Sequence, residues 1–142
     1  MSIRVRGVKT RLASTIAAIL FTRGAGAQSP PHQSAATTPM GTWRGTSVCL
    51  VRRSACNDEI VVYRIARMKA ADSLTLDARK IIGGEEQEMG VLTCRLTPPG
   101  GPVTCAIPRG TWQFRVRNDS LVGELLLADK TKFRDVRAVR MP

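Results

Sequence analysis

"TWQFRVRNDSLVGELLL", residues 111–127, decides the fold. Trp112, Phe114 and Val116 recur at every second position, with Gln113, Arg115 and Arg117 between them. A side-chain period of two puts the apolar set on one face of a β-strand and the polar set on the other. "NDS" at 118–120 is tight-turn chemistry, because Asn and Asp tolerate the left-handed conformation and bond nearby backbone. A second apolar run follows at once, so the stretch predicts a β-hairpin.

The pattern continues in both directions, with no helical stripe and no internal repeat. It predicts eight strands, at 42–50, 60–68, 73–82, 86–96, 103–107, 111–117, 121–127 and 131–139. Val61, Tyr63 and Ile65 share one face of the second, and Leu74, Leu76 and Ala78 one face of the third. "GG" at 83–84, "TPPGGP" at 97–102, "PRG" at 108–110 and "ADK" at 128–130 punctuate the runs. Glycine supplies positive φ in such turns and proline fixes φ near −65°. Every connection but the first is short, which favours antiparallel neighbours. Eight such strands can close on themselves and so lose their exposed edges. The expected fold is all-β: an eight-stranded antiparallel up-and-down barrel over 41–142.

The strand order also selects a cysteine pairing. Cys49, Cys56, Cys94 and Cys105 allow three connectivities. Positions facing each other in a hairpin have a constant sum, and Cys94 with Cys105 is centred on the 97–102 turn. Cys49 and Cys56 bracket "LVRRSA" and staple the first loop. Two local disulfides are therefore expected, each closing a loop of roughly ten residues and contributing about 2–3 kcal/mol in the loop-entropy picture. The spacings do not fit short zinc knuckles, and His32, the single histidine, lies outside the strands.

Ahead of the barrel, Arg4, Arg6, Lys9 and Arg11 precede an apolar run at 12–21 and an Ala-Gly-Ala ending at Ala27. That is the layout of a secretory signal peptide, 1–27, and the run falls short of the roughly 20 apolar residues that span a bilayer. The expectation is export to a periplasmic or extracellular space. Residues 28–40, "QSPPHQSAATTPM", are polar and without period and predict a flexible linker or arm. The leader carries five of the positive charges behind the net +11, so the remainder is only moderately basic, a balance that favours anionic partners such as acidic surface polymers.

Gly41-Thr42-Trp43, at the head of the first strand, resembles the G-x-W that opens the barrel in lipocalins and other calycins. The resemblance covers 41–140 and implies a structural role: Trp43 plugs the barrel base and an arginine of the last strand, Arg137 or Arg140, packs across it. The lipocalin T-D-Y motif is absent, the chain is short, and no C-terminal helix follows. In layout the chain resembles small secreted bacterial barrels of uncharacterised role.

Catalytic chemistry is thin. The lone histidine is in the arm, no thiol is expected to be free, and the serines lack a paired base. No catalytic residue, metal site or cofactor is expected. Glu85, Glu86 and Glu88 read as solvated hairpin carboxylates, and Asp58 with Glu59 as a solvated loop end. Arg115, Arg117, Lys132 and Arg134 read as a solvated outer face, and without exposed aromatics to stack bases they do not predict nucleic-acid binding. Two function classes remain. In the first, the barrel holds a small apolar or amphiphilic ligand, lined by Tyr63, Leu74, Leu76, Trp112, Phe114 and Leu125. In the second, the protein acts by its surface on a secreted or envelope protein, as similarly planned metalloprotease inhibitors do with an N-terminal arm.

Overall fold

The computed structural model describes residues 38–98 and 100–142. The expected signal peptide and most of the arm lie outside the described residues. Strands β1 (Gly41–Cys49), β2 (Glu59–Arg67), β3 (Ser73–Ile82), β4 (Glu85–Leu96), β5 (Val103–Ile107), β6 (Gly110–Arg117), β7 (Ser120–Leu127) and β8 (Lys132–Arg140) follow one another in sequence. Each pairs with the next, and β8 returns to β1, so the sheet is a closed up-and-down barrel. The closing ladder runs antiparallel from Trp43 opposite Arg140 to Cys49 opposite Arg134. Several strands begin one residue earlier than the apolar pattern predicts, at Gly41, Glu59, Glu85, Gly110 and Ser120. Backbone pairing, not side-chain hydrophobicity, sets those ends.

Alternation holds through the barrel wall. Trp43, Val61, Tyr63, Ile65, Leu74, Leu76, Val103, Phe114, Leu121, Val136 and Ala138 point inward and are buried, which gathers a single core. Two irregularities interrupt the register, one between Ala78 and Arg79 against β4 and one between Leu125 and Leu126 against β8. Gly83 and Gly84 both take positive φ, 61° and 91°, the backbone that a two-residue hairpin turn demands.

The seam between β4 and β5 differs from the others. Only Arg95 with Thr104 and Leu96 with Val103 pair across it: residues 105–107 of β5 have no ladder partner on β4, and β4 continues past the end of β5. The Cys94–Cys105 disulfide extends this short ladder from the inside, with both cysteines buried and their Cα atoms 4.2 Å apart. Cys49 and Cys56, with Cα atoms 5.9 Å apart, brace the first loop. The same loop is held by Asp58, whose carboxylate accepts a hydrogen bond from the Cys49 amide at 2.7 Å.

Candidate functional site

The two ends of the barrel are built differently. At the base, Trp43 is fully buried, and its indole Nε1 donates to the Pro39 carbonyl at 2.8 Å. The Arg140 guanidinium lies over the ring, 4.1 Å from its centroid. The same guanidinium donates from Nη1 to the Met40 carbonyl at 2.5 Å and from Nη2 to the Thr38 carbonyl at 2.6 Å. A planar fork with a ring on one face and two carbonyls at its edge uses geometry that a lysine lacks. Gly41 is needed beside it: its φ is 125°, and a Cβ there would lie 2.6 Å from Arg140 Nη1. Arg137, the other candidate lid, sits one strand position out of phase and faces solvent. The barrel reaches back to Thr38, three residues before the boundary expected from polarity at 41. Backbone carbonyls carry those contacts, and side-chain composition does not reveal them.

The opposite end is the mouth, and its inward-facing rim has two halves. Across β8, β1, β2 and β3 the alternation that buries the core carries Arg134, Ser47, Glu59 and Lys80 inward. Arg134 Nη1 donates to Ser47 Oγ at 3.1 Å and pairs with Glu59 at 3.2 Å, and its side chain is only 13% exposed. Lys80 Nζ reaches the other Glu59 oxygen at 3.8 Å. Two cations thus share one carboxylate inside a barrel wall. Desolvating charge is costly unless it is paired, and among the described residues no buried side-chain nitrogen or oxygen lacks a partner. Tyr63 touches this cluster from below. Burial pushes its phenol far above the usual range; Arg134 pulls it down, Glu59 adds to the rise, and Ser47 lowers it again.

The other half of the rim is apolar. Tyr63 and Phe114 meet edge to face at 5.4 Å, and Phe114 and Trp112 stack at 5.6 Å, so an aromatic ladder crosses the interior. Beside it lies a cavity of about 210 Å³, bounded by Tyr63, Leu76, Met89, Leu92, Ile107, Trp112 and their neighbours. A cavity of roughly 150 Å³ lined by aliphatic and aromatic side chains is enough to bind benzene. This one, partly open to solvent, has room for a ring-sized or short alkyl group and is smaller than the roughly 300–1,000 Å³ of drug-sized sites. An open depression of about 660 Å³, lined in part by Leu125, Leu127 and Phe133, adjoins it through Ile107.

Of the six expected lining residues, Tyr63, Leu76, Trp112 and Phe114 border the cavity. Leu125 borders the adjoining depression, and Leu74 is packed in the core and borders neither. Sequence reasoning missed Ser47, Glu59, Lys80, Arg134 and Met89. Parity was the available signal for the first four: each is an even number of residues from a buried neighbour on its own strand. Arg134 and Glu59 are thus corrected from solvated positions to inward ones. Lys132 remains outside, because the irregularity in β8 pairs it with Leu126 and leaves Phe133 as the extra residue. Met89 is the extra residue of β4 in the same way.

Glu86 and Glu88 are on the outer wall, where Glu86 takes both Arg64 terminal nitrogens at 2.8 and 2.9 Å and Glu88 meets Arg79 at 3.7 Å. The Arg64 bond holds the Glu86 carboxyl below its usual range. Among the described residues no three metal-ligating side chains cluster, and no helix is long and apolar enough to cross a membrane. No protein family, curated protein or solved structure gives a match to the chain.

Proposed function

We propose that the protein is an exported, non-enzymatic, lipocalin-like barrel that takes a small amphiphile at its mouth. The two-faced rim carries this reading: an aromatic-walled cavity of about 210 Å³ adjoins, through Tyr63, a cluster with one more cation than anion. A short apolar group fits the cavity, and a polar or anionic head finds donors from Arg134 and Lys80. Two disulfides support an oxidising compartment. The outer wall carries charged side chains on neighbouring strands, such as Arg64, Arg79 and Glu86, where a lipid-facing barrel needs an apolar band. The Trp43–Arg140 contact, the motif shared with calycins, plugs part of the far end, where a separate open depression of about 340 Å³ lies between Met40, Arg67, Leu96 and Val116.

The test is titration with anilinonaphthalene sulfonate, followed by its displacement with short-chain alkyl carboxylates and alcohols. Binding that is lost in Ala78→Leu, which fills the cavity, supports the proposal when the thermal midpoint is retained. Absence of binding to the intact protein, or equal binding by the filled variant, overturns it.

A further inference from the structure

The outer wall is electrically lopsided. On β2, β3 and β4 the outward cations are neutralised: Arg64 pairs with Glu86, and Arg79 with Asp77, Glu86 and Glu88. On β1, β8, β7 and β6 the outward arginines are not, and of the outward cations described there Lys132 alone is paired. The register there aligns Thr46, Arg137, Val122 and Arg115 in one row and Arg44, Val139, Ser120 and Arg117 in the next. All four arginines are exposed, and none forms an ion pair among the described residues. Glu124 and Asp135, in the following row, are taken by Lys132 at 3.2 and 2.9 Å; Asp119 in the β6–β7 turn forms no ion pair among the described residues, and Glu86, which feels the charge of Arg44, is held by Arg64. The grip of Asp135 and Glu124 holds the Lys132 ammonium protonated above its usual range.

Strand geometry sets the spacing. Arg137 and Arg115 flank Val122 two strand steps apart, roughly 9.5 Å, and Arg115 and Arg117 lie roughly 7 Å apart along one strand. Between them the small side chains Ser120, Val122 and Val139 leave shallow depressions of about 260 and 430 Å³ with arginines at their borders, the larger also reaching the Lys132–Glu124–Asp135 cluster. Bringing four like charges onto one patch is unfavourable in isolation, and an anionic chain lying across the saddle relieves it.

We infer that this face docks an acidic polysaccharide, a chain bearing sulfate or carboxylate groups at intervals. Guanidinium is the side chain suited to forked contact with such groups. No aromatic side chain projects outward from these four strands, so the face offers nothing for bases to stack on, and this favours a glycan over single-stranded nucleic acid. The face lies outside the barrel, away from the mouth, and its role is independent of the ligand proposed there.

The experiment measures binding of the full, disulfide-oxidised chain to heparin as salt is raised. Arg115→Gln/Arg137→Gln is compared with Arg64→Gln/Arg79→Gln, which removes the same charge from the neutralised face. The expected result is roughly a 3- to 30-fold loss of affinity in the first variant and under about twofold in the second. Arg115→Lys/Arg137→Lys keeps the charge and is expected to lie between wild type and the glutamine variant. Equal losses in the two glutamine variants, or no salt-sensitive retention of wild type, overturn the inference. Equally tight, arginine-dependent binding of single-stranded DNA overturns the choice of a glycan.

Discussion

Arg140 offers the sharpest test of how this barrel is closed. Replacing it by alanine removes a cation over the Trp43 ring, worth about 0.5–2 kcal/mol. It also removes two charge-assisted hydrogen bonds to the Thr38 and Met40 carbonyls. Such bonds contribute about 1.5–3 kcal/mol when buried, and about 1 each is reasonable at this partly exposed site. The sum is about 2.5–4 kcal/mol. With about 4–8 °C lost per kcal/mol in a domain this size, the thermal midpoint should fall by about 10–30 °C. Arg140→Lys, which retains charge but not the fork, should lose about half as much. Arg137→Ala, three residues earlier on the outer wall, should change stability by less than about 0.5 kcal/mol. Urea denaturation followed by tryptophan emission measures all three, and an unchanged slope against denaturant would show that only stability has moved. If Arg140→Ala and Arg137→Ala prove equally mild, the base is closed by apolar packing alone and the clamp assigned to Arg140 is wrong.

Other expectations follow from the same geometry. A chain beginning at residue 41 should be less stable than one beginning at 38, and adding Arg140→Ala to it should cost little more, since both changes delete the same contacts; additive losses in calorimetry would contradict this. Tyr63 is the chain's single tyrosine, so tyrosinate absorbance reports it alone. Its raised pKa means that the folded state holds the proton more tightly, so its stabilising contribution is intact below the normal tyrosine pKa of about 10 and fades as pH rises beyond it. Absorbance should appear only with alkaline unfolding, and Tyr63→Phe should flatten that pH dependence; tyrosinate growing in at its ordinary pH while the barrel stays folded would refute the burial. Replacing Cys94 and Cys105 by alanine should cost about 3 kcal/mol and be felt as faster hydrogen exchange in β5 before β1, whereas uniform exchange would show that the seam is not the weak line.

The wall of this barrel was legible because its physics is local. Trp112, Phe114 and Val116 alternate with polar neighbours, and the turn residues at 83–84 and 118–119 fit the connections in which they stand. The disulfides followed from strand order, since a hairpin's register is fixed by its turn. The mouth was harder to read. Arg134 and Glu59 have the composition of a solvated surface, and only the parity of Val136 and Val61 shows that they point inward. Met89 and Phe133 were beyond parity altogether, because each is an inserted residue whose position depends on the facing strand. The contribution of Thr38, Pro39 and Met40 was invisible for a different reason: the backbone oxygens of Thr38 and Met40 accept from Arg140, and that of Pro39 from Trp43, whatever their side chains.

The mismatch in length between β4 and β5 has a further consequence, for solubility. Where β4 outruns its partner, from Glu85 to about Val91, a closed barrel presents an open strand edge with Met89 and Val91 exposed on it. Unpaired strand edges recruit strands from other molecules. Glu85, Glu86 and Glu88 occupy this segment, so an added strand would have to desolvate these carboxylates and the Arg64 and Arg79 side chains paired with Glu86 and Glu88. The expected role of these hairpin carboxylates is to keep neighbouring molecules from adding a strand. Exchanging the three for glutamine should leave the monomer folded but make it self-associate during concentration or refolding.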